Sequence, residues 1–542
     1  MEKRRLRIAI SLILAVILVL SIFGPAGAKP KQSVFLQVLA VNDFHGQLEP
    51  GRSMGGVEHL ATLVKQKKAE TKHTIFVSAG DLIGASPLVS ALFHDEATIN
   101  AFNLMGLDYA VAGNHEFDEG VEELIRMQEG GCHPIDGCFD VPFNGAEFKF
   151  LAGNVIRTKN GKTLFSAYKV RSIEGLKVAF VGIALDYTPT IVTPEGTVGV
   201  EFINEEEAIN AIAAELKAKG INTIVVILHN GGYQSVDPNV CEPLTGDVVE
   251  VLANTDPEVD LFITGHTHQA YNCPNKNGRI VTSAGSAGNF LTEIDLELDR
   301  NTGQIINRAV KNNPVSWDIP KDAEMTALVD QYRALAAPLA NRVIGSITAD
   351  IKRSNDRMIE SPLGDVIADA QLAATSTPEK GGAVIALMNP GGIRADLNYA
   401  QISGGELPGE VTYGEAFTVQ PFYNDLVTLT YTGEQIKSVL EQQFLVSRLL
   451  QVSASLSYSY SASAGAGSKV SDIKINGEPI DMAASYRVTV NSFLAGGGDG
   501  FSMLTVGTNK LIGITDIDAL AIYFNNYSPV APGPANRITV LP

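Results

Sequence analysis

An Asp-x-His pair, a lone Asp, an Asn-His pair, a His-Asn pair and a His-x-His pair follow one another in the first half of this chain. Each stands just after a short apolar run. They are Asp43 and His45 after Phe35 to Val41, Asp81 after Thr74 to Ser78, and Asn114-His115 after Tyr109 to Ala112. His229 then follows Ile221 to Leu228, and His266 and His268 follow Leu261 to Thr264. Taken singly, each has an ordinary reading: Asp43-Phe44-His45 as an Asx turn with a solvated imidazole, Asp81 as a helix N-cap. As a set, Asp43, His45, Asp81, Asn114, His229, His266 and His268 offer mixed nitrogen and oxygen donors, which suit Zn, Mn, Fe or Co better than Ca or Mg. Seven donors suit two ions sharing Asp81, and two close divalent ions are the signature of phosphate-ester hydrolysis.

The positioning elements follow from the pattern. In extended backbone Asp43 and His45 lie on one side. Gly55 to Lys68 and Glu205 to Lys219 carry helical periodicity between the apolar runs. Val178 to Ile183 adds a further strand, so strand and helix alternate. That alternation predicts an α/β sheet with ligands at the carboxyl ends of its strands.

The second half has no such cluster. Arg353 and Arg357 precede a helix that starts near Ser361-Pro362, and Arg394 ends Asn389-Pro390-Gly391-Gly392-Ile393-Arg394 after an apolar strand. Guanidinium forks suit phosphate, although a solvated arginine pair at 353 and 357 is an equal alternative. Phe422 and Asn424 stand in one loop, and Phe493 precedes the glycine loop with Asp499. Two aromatics there could stack a planar ring, or simply belong to the core.

The order D-x-H, G-D, G-N-H-E, H-N-G-G, G-H-T-H resembles the calcineurin-like metallophosphoesterases, and Gly113-Asn114-His115-Glu116-Phe117-Asp118 resembles their 5′-nucleotidase / UDP-sugar hydrolase branch. Residues 350–505 resemble that family's C-terminal domain. The resemblance implies one metal on Asp43, His45, Asp81 and His268, and a second on Asp81, Asn114, His229 and His266. It implies a catalytic His115 paired with Asp118, with orientation of Asn114 by His115 as the structural alternative. It also implies that Arg353, Arg357 and Arg394 hold anionic groups, that Phe422 and Phe493 sandwich a base, and that Asn424 and Asp499 bind base and ribose. Tyr423 and Ala454 depart from the family pattern near that pocket.

Residues 1–28 combine Lys3, Arg4, Arg5 and Arg7 with an apolar run and Ala26-Gly27-Ala28, the pattern of a cleaved signal peptide. No hydrophobic tail follows, so the expected mature protein has no membrane anchor and is exported, periplasmic or extracellular. The formal charge of −19 becomes −22 once those four basic and one acidic residues are set aside, which argues against long-range attraction to a nucleic acid polymer. Four cysteines in an exported chain predict disulfides, and nearness favours Cys132–Cys138 and Cys241–Cys273.

The expected architecture is α/β: a metallophosphoesterase β-sandwich flanked by helices over 29–315, a solvent-facing linker helix within 316–341, and a second α/β substrate-binding domain over 342–542. The expected activity is release of phosphate from nucleoside 5′-monophosphates with two divalent transition metal ions. Alternatives are a 2′,3′-cyclic-nucleotide phosphodiesterase/3′-nucleotidase, a nucleotide-sugar pyrophosphatase, or a non-catalytic nucleotide-binding surface protein.

Overall fold

The computed structural model describes residues 32–50, 54–139, 141–234, 237–274 and 279–542. The expected signal peptide lies outside them. The apolar runs form two six-stranded sheets. In the first, Ser33–Val41 pairs in parallel with Thr74–Ser78, which is followed by Tyr109–Val111 and Lys149–Leu151. On its other side Ser33–Val41 pairs antiparallel with Phe290–Asp299, and that strand with Ile305–Pro314. In the second, Leu176–Ile183, Thr223–Leu228, Leu261–Thr264 and Ile280–Ala284 are parallel neighbours.

Val38, Ile75, Val111 and Ile294 of one sheet meet Phe180, Val225 and Ile263 of the other in a single apolar layer. Strands covered on both faces need apolar residues throughout, which explains why these runs do not alternate. Helices Val57–Glu70 and Glu96–Met105 cover the outer face of the first sheet, and Glu205–Ala218 covers that of the second. This is the expected sandwich flanked by helices.

One expectation needs correction. The helix Ala323–Ala340, capped by the Asp322 carboxylate, does not simply face solvent. Met325, Val329, Tyr332 and Ala336 lie one above another on one face and are buried in the first core, beside Phe93 and Leu60. The Tyr332 hydroxyl accepts a 2.9 Å hydrogen bond from the Asn100 amide.

Beyond it, a five-stranded sheet runs in the order Gln451–Val452, Ile385–Met388, Ser485–Asn491, Asp425–Thr432, Thr508–Thr515, and a four-stranded sheet contains Leu456–Tyr460 and Val470–Ile475. Both predicted disulfides, Cys132–Cys138 and Cys241–Cys273, are present. Among the described residues no helix is long and apolar enough to cross a membrane.

Candidate active site

Parallel pairing brings the carboxyl ends of five strands to one edge, and the seven candidate ligands converge there. Asp81 stands between two groups. On one side His45 Nε2 is 3.8 Å from Asp81 Oδ2 and 3.0 Å from His268 Nε2, and His268 Nε2 is 3.7 Å from Asp43 Oδ1. On the other, His229 Nε2 is 3.2 Å from Asp81 Oδ2 and 3.1 Å from Asn114 Oδ1, which lies 3.0 Å from His266 Nδ1.

The donor set fits divalent ions. His45 Nδ1 bonds the Gly84 carbonyl at 2.9 Å and His229 Nδ1 bonds the Ala79 carbonyl at 2.7 Å, which sets each tautomer and frees Nε2 for an ion. Burial holds His45 and His266 down to about 3, as neutral ligands, and pushes Asp43 up to about 7. Burial also opposes charge on His229, but Asp81 and Asp43 lift it to about 10.

Backbone conformation contributes as well. Asp43, His45, Asp81, His266 and His268 all have φ between 48° and 69°, a region few non-glycine residues occupy and one that concentrates at functional sites. A Cβ on Gly113 would strike the Asp81 carboxylate and the His229 ring, so the close approach of these loops requires glycine there.

His115 Nδ1 lies 2.7 Å from Asp118 Oδ2, and its ring stands edge-on to His45 at 5.0 Å. Burial works against a charged His115, but Asp118 and Asp81 outweigh it and raise its pKa.

The second domain reaches the same place. The Arg394 guanidinium is 5.8 Å from the Phe422 ring centroid, and Phe422 lies 5.8 Å from the His115 ring, nearly parallel to it. Burial, then the neighbouring Arg353 and Arg357, depress the pKa of Arg394, while Asp81 and Asp118 act the other way. Arg394 is thus the arginine that geometry brings to the donor edge, through Phe422 and His115, with Arg353 anchored nearby on the Ile393 carbonyl at 3.1 Å. Phe493 is half-buried against the second core, beneath Gly498. Asp499 is engaged by Arg448 at 2.9 Å and Asn389 at 3.1 Å. Asn424 is buried between Ser492 and Asp516. Tyr423 is 42 % exposed and packs on Phe417.

Three contributors escaped sequence reasoning. Glu116 accepts amide N–H bonds from Asp81, Leu82 and Gly113 at 2.9, 2.8 and 2.6 Å, tying two ligand loops together. Its place in G-N-H-E was the available signal. Asn42 donates to Asp43 Oδ2 at 2.6 Å, and its Oδ1 accepts the Ala284 N–H. Tyr187, in no motif, places its hydroxyl 3.3 Å from His266 Nε2.

Residues 36–270 match the calcineurin-like phosphoesterase family and residues 343–506 match the 5′-nucleotidase C-terminal domain. The chain is 32% identical over 549 residues to the cell wall protein Lmo0130 of Listeria monocytogenes, covering 93% of this chain and 68% of that protein. It is 31% identical to the endonuclease YhcR of Bacillus subtilis over 94% of this chain, and spans 41% of that longer protein. A crystal structure of a 5′-nucleotidase precursor from Thermus thermophilus superposes with a TM-score of 0.77 at 27% identity, covering 94% of this chain and 99% of that one. The ordered donor loops, the two-sheet core and these matches agree: the chain belongs to the 5′-nucleotidase family of metal-dependent phosphoesterases.

Proposed function

We propose that the protein is an exported phosphohydrolase that releases phosphate from nucleoside 5′-monophosphates, using two divalent transition metal ions (Zn, Mn, Co or Fe). One ion would be held by Asp43, His45, Asp81 and His268, the other by Asp81, Asn114, His229 and His266. The observation that carries this reading is the position of Asp81 between two donor groups, with Arg394 of the second domain beside it. Ions bound there supply charge neutralisation for the phosphoryl oxygens and activation of water.

The chain's own residues do the rest. Arg353, Arg357 and Arg394 hold the phosphate against the donor edge. Water adds to phosphorus in line, the phosphorus–ester oxygen bond breaks, and the departing oxygen needs a proton. His115, held at Nδ1 by Asp118, presents Nε2 to supply it or to stabilise that oxygen. Phe422 and Phe493 hold the base, and Asn424 and Asp499 shape the nucleoside pocket. In this division residues 29–315 carry the chemistry, 342–542 select the substrate, and the helix within 316–341 joins them. Export is supported by the signal-type pattern at 1–28 and by the relative named a cell wall protein.

A broader specificity has one observation in its favour: a 28% identical relative in Bacillus subtilis is named a trifunctional nucleotide phosphoesterase, of whose length the chain spans 33%. Turnover of AMP, ADP, ATP, UDP-glucose, 2′,3′-cyclic AMP, 3′-AMP and single-stranded DNA, followed as loss of substrate with products identified, with and without chelator, tests both readings. AMP should lead the panel and chelator should abolish turnover. A preference for the cyclic or polymeric substrate would replace the 5′-nucleotidase reading.

A further inference from the structure

A second group of metal-type donors stands apart from the candidate active site. His94 lies in the turn between helices Leu88–Ala91 and Glu96–Met105. Glu119 directly follows Asp118, Glu123 is in helix Val121–Glu129, and His133 is inside the loop closed by Cys132–Cys138. One ligand atom of each of His94, Glu119, Glu123 and His133 lies within 4.8 Å of the others. The two imidazoles are stacked, with centroids 3.7 Å apart. His94 Nδ1 is 2.6 Å from Glu119 Oε2.

Asp136 faces the far nitrogen of both rings. Its Oδ2 is 2.8 Å from His94 Nε2 and 3.4 Å from His133 Nδ1, which also accepts the Asp136 amide N–H at 3.1 Å. For His94, a carboxylate in that position is what orients a histidine that binds a metal through its other nitrogen; His133 Nδ1, which accepts the amide N–H, must first take up a proton to be held the same way. This arrangement leaves His94 Nδ1 and His133 Nε2 for an ion. Bonds of about 2.0–2.2 Å to zinc imply ligand spacings of roughly 3.3–3.6 Å, and the two rings, inclined by only 16°, must turn out of their stack to aim both lone pairs at one ion. Glu123 already grips Arg126 at 2.8 and 2.6 Å, so it is the least free of the four.

Charge favours a dication. Glu96, Glu119, Glu123 and Asp136 carry four negative charges around Arg126, which Glu96 and Glu123 share. A protonated His94 leaves two of them unmatched.

We propose that His94, His133 and Glu119, completed by Glu123, form a further divalent transition-metal site of zinc type that clamps the Cys132–Cys138 loop to the segment beside Asp118. Zinc displaces the His94 proton to solvent. The His133 proton moves from Nε2 to Nδ1, where the Asp136 carboxylate accepts it. Two imidazoles with carboxylates are borderline donors, so zinc is favoured over calcium or magnesium. The inference does not depend on the substrate reading.

The test uses the full chain with disulfides intact, stripped by chelator, desalted and titrated with Zn²⁺, with bound zinc counted by elemental mass spectrometry. Wild type should retain one equivalent per chain more than His133→Ala, whatever number the active site holds. Glu119→Gln should weaken that same equivalent at least tenfold. Ile135→Ser alters the 87 % exposed tip of the same loop without touching a donor, and should keep it. Equal zinc in wild type and His133→Ala overturns the site. Loss of the equivalent in Ile135→Ser also overturns it, because loop conformation and not the donors would then set the metal content.

Discussion

The rings of His115 and Phe422 face each other across the two domains, 5.8 Å apart and inclined by 21°. His115 belongs to a loop at the edge of the metallophosphoesterase sheet, Phe422 to a loop of the second domain. The group proposed to serve the leaving oxygen therefore touches a wall of the proposed base pocket. The residues proposed for chemistry and for selection are contiguous in space although some 300 residues apart in sequence, and they should respond differently to mutation.

His115→Asn should leave metal content at the wild-type level and lower turnover on the order of 100-fold, the size expected for one proton-transfer or charge-stabilising group. Metal stoichiometry and kcat measured on the same preparation check this. Loss of metal in the variant would make His115 a ligand.

Phe493→Ala should weaken kcat/KM for AMP by roughly ten- to a hundred-fold, since stacking a base on an aromatic is worth about 1–3 kcal/mol. Hydrolysis of a simple alkyl phosphate should change little. Equal losses on both substrates would make Phe493 a packing residue, in keeping with its contact with the second core. Arg394→Ala should impair both substrates, because both carry the phosphate that Arg394 is proposed to hold.

The sequence showed the donors because each side chain sits directly after its own strand, and a strand end is a local feature. The joints between loops were not legible. Glu116 reaches amides of Asp81 and Leu82, 34 to 35 residues away, so its function depends on which loops become neighbours. Tyr187 meets His266 from 79 residues away. The left-handed backbone of Asp43, His45, Asp81, His266 and His268 runs against local propensity. The linker helix was different. Met325, Val329, Tyr332 and Ala336 repeat at helical spacing, so its buried face was written in the chain, while Glu324 and Asp330 stand on its exposed side.

Asp260, at the start of strand Leu261–Thr264, gives a pH signature. Burial raises its carboxyl from 3.8 to about 6, while the Ile224 amide N–H it accepts favours the charged form. The native state then holds a proton between pH 3.8 and 6 that the unfolded chain has released, so this group's contribution to stability is present below the unfolded value and lost as pH rises through 6. Asp260→Asn keeps an acceptor for Ile224 without the charge. Its unfolding free energy should pull ahead of wild type between pH 4 and pH 7, by about 1–2 kcal/mol at the upper end, allowing for partial solvent screening. A gap independent of pH would contradict the raised pKa.

Asp81 is proposed to be shared by two metal ions that together hydrolyse a nucleotide phosphate. The most direct test is phosphate release from AMP by metal-replete wild-type and Asp81→Asn protein, with bound metal counted in each. An amide cannot offset the charge of two cations as a carboxylate does. The account predicts two active-site ions and chelator-sensitive turnover in wild type, and metal loss with turnover near background in Asp81→Asn. Full activity with both ions retained in the variant would contradict it.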